Sequence, residues 1–281
     1  MSYKTIMAVL DDPASARQIS DFATFLSERF SAHIVGVHAE TLAAVPLIAP
    51  MEIPDPAAVQ VLQEAAQRET ASVEKIFRER IETRGLPSEW RSFVSANGYA
   101  SGNVIESARA VDLIVASQGQ SPEGGADNRA DLEAFLFESG RPMLLVPRTL
   151  KEPQPIRRVL IAWNGSREAT RATFDALPFL KNAESVEIFC VDPPETSGQM
   201  PEMAGVELAA TLSRHGVNVT LRTEHTSGIK ASAAIENRLA DSSVDLLVMG
   251  GYGHARWWEV LFGGVTRTLL DSMTALTLLS R

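Results

Sequence analysis

Two stretches of this chain occur twice, and the repetition limits its fold more than any other feature. Tyr3-Lys4-Thr5-Ile6-Met7-Ala8-Val9-Leu10-Asp11-Asp12 is matched by Ile156-Arg157-Arg158-Val159-Leu160-Ile161-Ala162-Trp163-Asn164-Gly165. Val111-Asp112-Leu113-Ile114-Val115-Ala116-Ser117 is matched by Val244-Asp245-Leu246-Leu247-Val248-Met249-Gly250. The members of each pair lie roughly 150 and 130 residues apart, far beyond a solenoid period, so the repeat is a duplicated domain. The 281 residues accommodate two ordinary domains. Arg148 to Pro155, rich in proline and charge, reads as the link, which divides the chain into 1–150 and 151–281.

The elements between the repeats alternate. In the first half, strands are expected at Ile6 to Leu10, His33 to His38, Trp90 to Ser95, Leu113 to Ala116 and Met143 to Val146. Helices are expected over Ser15 to Phe30, Ala57 to Arg84 and Asn103 to Ala110; Ile19, Phe22, Ala23, Leu26 and Phe30 recur at helical spacing in the first. Thr41 to Pro56 carries four prolines and reads as a loop. The second half has strands at Val159 to Trp163, Val186 to Val191, Val217 to Thr223, Leu246 to Met249 and Leu276 to Leu279. Its helices run over Arg167 to Leu180, Glu202 to His215, Lys230 to Ala240 and Gly264 to Ser272. Strands alternating with helices imply right-handed crossovers and a parallel sheet covered on both faces: an α/β fold.

The most informative stretch chemically is Met249 to Leu270. A buried strand runs into Gly250-x-x-Gly253, and nine residues later comes Gly263-Gly264-Val265-Thr266. Glycine turns allow close backbone approach, and a helix N-terminus offers free N–H groups to an anion. The competing reading is that the glycines only let helix and strand pack closely. The spacing resembles the nucleotide-binding signature of the universal stress protein family, G-x2-G-x9-G-(Ser/Thr), with Gly264 at the Ser/Thr position. The resemblance covers nearly the whole chain as two tandem copies. It implies two Rossmann-like (adenine nucleotide alpha hydrolase-like) domains, each a five-stranded parallel sheet flanked by helices, with their fifth strands meeting across a pseudo-twofold axis.

The halves differ where this matters. After Ser117 no second glycine turn follows at the needed distance, so the first copy is expected to lack the phosphate loop, and Gln118 to Arg129 reads as a polar loop. In the second half, the carboxyl ends of the strands should converge, because ligands of open α/β sheets sit there. The resemblance then implies a site for ATP or a related adenine nucleotide, with or without magnesium. Ala162, Trp163 and Asn164 would serve base and ribose, Val191 the adenine through its backbone, and Met249, Gly250, Gly253, His254, Arg256, Gly263, Gly264, Val265 and Thr266 the ribose and phosphates. His254 and Arg256 read equally as solvated surface, and Trp257-Trp258 and Trp163 as core. The family usually has aspartate where Asn164 stands. Asparagine is a poor general base, and Asn-Gly-Ser is turn-prone, so turn formation and ligand contact both remain open.

The function expected is a nucleotide-binding stress regulator or sensor with, at most, slow hydrolysis. Two alternatives stand beside it: an interaction module without nucleotide, and a hydrolase in which Asp192 or Glu259 places a metal. A net charge of −9 argues against nucleic acid and anionic membrane as partners. The apolar content of 45%, without a long apolar run or a signal-peptide layout, suggests a soluble cytoplasmic protein. A pseudo-dimer within the chain is expected, and a further homodimer is left open. The single cysteine, Cys190, rules out an internal disulfide and reads as a buried thiol.

Overall fold

In the computed structural model, residues 2–41, 56–95, 102–118, 129–193, 203–226, 228–251 and 272–281 are described. The chain forms two compact units: Tyr3–Ser117 with Asn128–Ser139, and a C-terminal one that is mainly Gly140–Arg281.

The N-terminal unit holds β1 (Thr5–Val9), α1 (Pro13–Phe30), β2 (His33–Thr41), α2 (Pro56–Glu82), β3 (Ser88–Ser95), α3 (Gly102–Arg109), β4 (Leu113–Ser117) and α4 (Arg129–Glu138). Its strands lie in the order β3-β2-β1-β4, all parallel where pairing is described. Strands β2 and β1 are flanked on both sides within this unit, and β4 is buried along its whole length. α1 begins where Asp12 accepts from the amides of Ala14 and Ser15, and Ser15 returns a bond to the Asp12 amide. Pro13 needs no donor in that first turn. The predicted stripe of Ile19, Phe22, Ala23, Leu26 and Phe30 is the buried face.

The C-terminal unit holds β5 (Met143–Val146), β6 (Arg158–Ala162), α5 (Arg167–Asp175), α6 (Leu177–Leu180), β7 (Ser185–Val191), α7 (Val206–Arg214), β8 (Val219–Glu224), α8 (Ala231–Ser242), β9 (Leu246–Gly250) and β10 (Leu276–Ser280). Its strand order is β5-β10-β9-β6-β7-β8. All described pairs are parallel except β5 with β10, in which Leu278 opposes Leu144.

The two copies agree in detail. In each, an aspartate just ahead of the fourth strand accepts two amides at the start of the first: Asp112 from Lys4 and Thr5, Asp245 from Arg157 and Arg158.

α4 has no counterpart among the expected helices: its apolar residues cluster at one end and give no repeating stripe, yet Phe135 and Leu136 are buried. Two expectations need correction. The single helix expected over Arg167 to Leu180 is two, parted at Ala176 with Pro178 in the first turn of α6. A proline there lacks the donor that a continuous helix would require. α7 begins at Val206 rather than Glu202, after Gly205 turns the chain at φ 84°. The helix read over Gly264 to Ser272 and the loop after Thr41 lie outside the described residues.

Candidate functional site at the carboxyl edge of the C-terminal sheet

From β6 the chain moves outward through β7 to β8, then returns to place β9 on the other side of β6. Strand order thus reverses at β6, and ligands of open α/β sheets sit at the carboxyl edge of such a reversal. Ala162 is the common point: it opposes Phe189 on one side and Met249 on the other. The amide of Trp163 extends the ladder to the Phe189 carbonyl at 2.9 Å, and the Gly251 amide reaches the Ser280 carbonyl at 2.9 Å. Val191, at the end of β7, opposes Glu224. Thus Ala162, Trp163, Met249 and Gly250 are brought together, with Val191 one strand away.

Gly250 is pressed against the first turn of α5. A Cβ there would lie 2.5 Å from the Ala169 amide nitrogen and 2.7 Å from the Glu168 Cβ. That turn is held by Ser166, whose hydroxyl accepts from the Ala169 amide at 3.1 Å. Glu168 is buried on the same turn. Burial raises its pKa, but its own backbone amide, Arg167 and Ser166 together outweigh this and hold it below the ordinary glutamate value.

Asn164 does form a turn: its Oδ1 accepts from the Ser166 amide at 3.1 Å, and Gly165 has φ 73°. The residue is exposed. Asp192, just past β7, adopts φ 42°, an unusual conformation for a residue with a side chain. Its Oδ1 accepts from the Thr226 amide at 2.7 Å, and its Oδ2 from the Thr226 hydroxyl. These bonds, the hydroxyl first, hold its carboxyl below the usual range. Both oxygens therefore serve the turn. Among the described residues, no group of three or more His, Cys, Asp or Glu is arranged to hold a metal.

Gly253, His254, Arg256, Gly263, Gly264, Val265 and Thr266, and with them Trp257, Trp258 and Glu259, lie outside the described residues. Sequence reading missed Ser166, Glu168 and Thr226. For Ser166 a signal existed, a serine immediately before a helical run. Nothing local points from Asp192 to Thr226.

The first copy closes the equivalent edge differently. Asp11 and Ser117, which match Asn164 and Gly250, join by a hydroxyl–carboxylate bond of 3.2 Å. His38 matches Cys190; its Nδ1 donates to the Leu10 carbonyl at 2.6 Å, and its Nε2 lies 3.1 Å from Glu40.

No protein-family model matches the chain, and no curated protein matches it. Solved structures do. One is a universal stress protein from Archaeoglobus fulgidus DSM 4304, with TM-score 0.69 and 16% identity over 98% of each chain. The chain has the universal stress protein fold. Two Pseudomonas aeruginosa structures match as well. One, from UCBPP-PA14, has TM-score 0.60 and 13% identity over 99% of this chain and 93% of that one. The other, a functionally unknown protein from PAO1, has TM-score 0.57 and 12% identity over 99% and 92%. At such identities the likeness is one of fold. No described helix is long and apolar enough to cross a membrane.

Proposed function

We propose that this chain is a tandem universal stress protein that binds ATP or a related adenine nucleotide at the carboxyl edge of its C-terminal sheet. The observation that carries the reading is the junction of Ala162 with Met249 where strand order reverses, immediately before the Gly250-x-x-Gly253 and Gly263-Gly264 pattern of the sequence. The carboxyl edge at such a reversal offers backbone groups to a base and ribose. Arg167, a 90% exposed cation at the start of α5, adds a charge of the sign that phosphate needs. Gly263, Gly264, Val265 and Thr266 would take the phosphates, with His254 and Arg256 beside them.

The reading is of binding rather than turnover. Asn164 is no general base, and both oxygens of Asp192 are engaged by Thr226. Nucleotide would act as a regulatory ligand, stabilising the state that binds it. A second reading, an interaction module without nucleotide, draws on one observation: packing against α5 alone accounts for Gly250.

Calorimetric titration with ATP, with and without Mg²⁺, separates the two. Saturable binding with a dissociation constant well below about 1 mM is expected, and its absence would sink the nucleotide reading. Gly264→Asp should abolish the heat while leaving the circular dichroism spectrum unchanged. Phosphate release followed over hours should stay at background; sustained release would revive the hydrolase.

A further inference from the structure

We propose that the outer edge of β3 joins two copies of this chain, strand to strand and antiparallel, about a twofold axis at Trp90. Among the described residues, β3 pairs with β2 alone. The Ile34 amide binds the Pro87 carbonyl, so the odd-numbered residues of β3 turn their backbone groups toward β2. Ser88, Trp90, Ser92 and Val94 therefore direct theirs outward, because N–H and C=O of one residue point to the same side of a strand.

That parity restricts the register. With Trp90 of one copy opposite Trp90 of the other, each exchanges both bonds with its twin, and Ser88 does the same with Ser92 of the second copy. Glu89 then stands opposite Arg91 of the second copy in a non-hydrogen-bonded pair, where side chains come closest. Arg91 stands likewise opposite Glu89. Centring the axis on Arg91 would set Glu89 against Phe93, and centring it on Ser92 would set Arg91 against Phe93. Only the Trp90 centre makes the charges complementary.

The two charges already touch within one strand, at 2.5 Å, with side chains 44% and 36% exposed. Charges on an edge strand normally discourage pairing. Opposite charges placed symmetrically about an outward-facing residue do the reverse for an identical copy, while still discouraging others. The edge strand β8 shows the discrimination. Trp90 set antiparallel against Thr223 would put Glu89 opposite Glu224 and Arg91 opposite Arg222. β8 has the same alternation about Thr223, but it ends at Glu224, which leaves too little strand for a ladder.

Sedimentation of the full chain at low salt should show a reversible dimer, with a dissociation constant on the order of 10 μM for so small an interface. It should weaken on adding salt. Arg91→Glu opposes like charges and should weaken the dimer by at least about tenfold. The exchange Glu89→Arg with Arg91→Glu should restore it, since the swapped pair is again self-complementary. Ser92→Pro removes an outward donor without touching the ladder to β2, and should give a monomer with unchanged circular dichroism. A chain that stays monomeric at about 1 mM in low salt, or a dimer indifferent to Arg91→Glu and Ser92→Pro, overturns the proposal.

Discussion

A methyl group at Gly250 would fall 2.5 Å from the backbone nitrogen of Ala169, and backbone cannot swing aside as a long side chain can. Gly250→Ala is therefore expected to cost about 3 kcal/mol or more in urea unfolding, whether or not nucleotide is present. A cost below about 1 kcal/mol would mean α5 sits further from β9 than it does here. Cys190 illustrates burial of the opposite kind. Its thiol lies 3.6 Å from the Ala204 carbonyl, and burial pushes its pKa up from 9.0 to about 11. The folded state thus keeps a proton that the unfolded chain gives up near pH 9. The resulting stability is fully present below that pH and is lost as pH rises toward 11, by up to roughly 3 kcal/mol. Wild type should lose more stability than Cys190→Ala between pH 8.5 and 11, and a thiol reagent at about pH 8 should react only as the chain unfolds.

At the scale of elements, the copies solve one packing problem in opposite ways. Gly36 and Ile188 hold equivalent places, opposite Ala8 and Ile161. In the N-terminal unit the strand yields: a Cβ on Gly36 would lie 2.6 Å from the Phe77 ring, so α2 brings the bulk. In the C-terminal unit the strand keeps Ile188 and the segment leading into α7 yields, at Gly205, where a Cβ would meet Leu221 at 3.0 Å and Ile188 at 3.2 Å. α8 is tied to the same sheet by charge. Arg238 grips Glu187 of β7 through Nε at 2.7 Å and Nη2 at 2.5 Å, both side chains 20% exposed. The pair raises the Arg238 pKa, chiefly through the hydrogen bond to Glu187. Arg238→Ala leaves a half-buried carboxylate without its partner and should cost about 2 kcal/mol. Breaking the exposed Arg157–Glu184 pair by Glu184→Ala should cost less than about 0.5 kcal/mol in the same assay. Equal costs would show that burial does not separate the two.

For the whole molecule, the sheet of the C-terminal unit runs past the sequence boundary. β5 belongs to the first half by repeat, yet it pairs with β10, whose residues are all buried. Asp175 of α5 holds the Ser280 hydroxyl at 2.9 Å and Arg171, which reaches back to the Gly140 carbonyl at 3.1 Å. A fragment 140–281 is therefore expected to unfold at higher urea than 151–281, which would carry β10 with an open apolar edge. Equal midpoints would mean that β5 adds nothing to that sheet.

The sequence by itself determined the strands of both copies to within a residue or three, the face that α1 buries, the equivalence of Asp11 with Asn164 and Ser117 with Gly250, and the burial of Cys190. Periodicity and repetition are local signals, and these features depend on local pattern. Only the tertiary structure decided which backbone Gly250 must clear and that Asp192 spends its carboxylate on Thr226. It also revealed α4, held by Phe135 and Leu136, and the break ahead of Pro178. Each of these depends on which distant group a residue meets, and side-chain pattern along one segment carries no record of its partner.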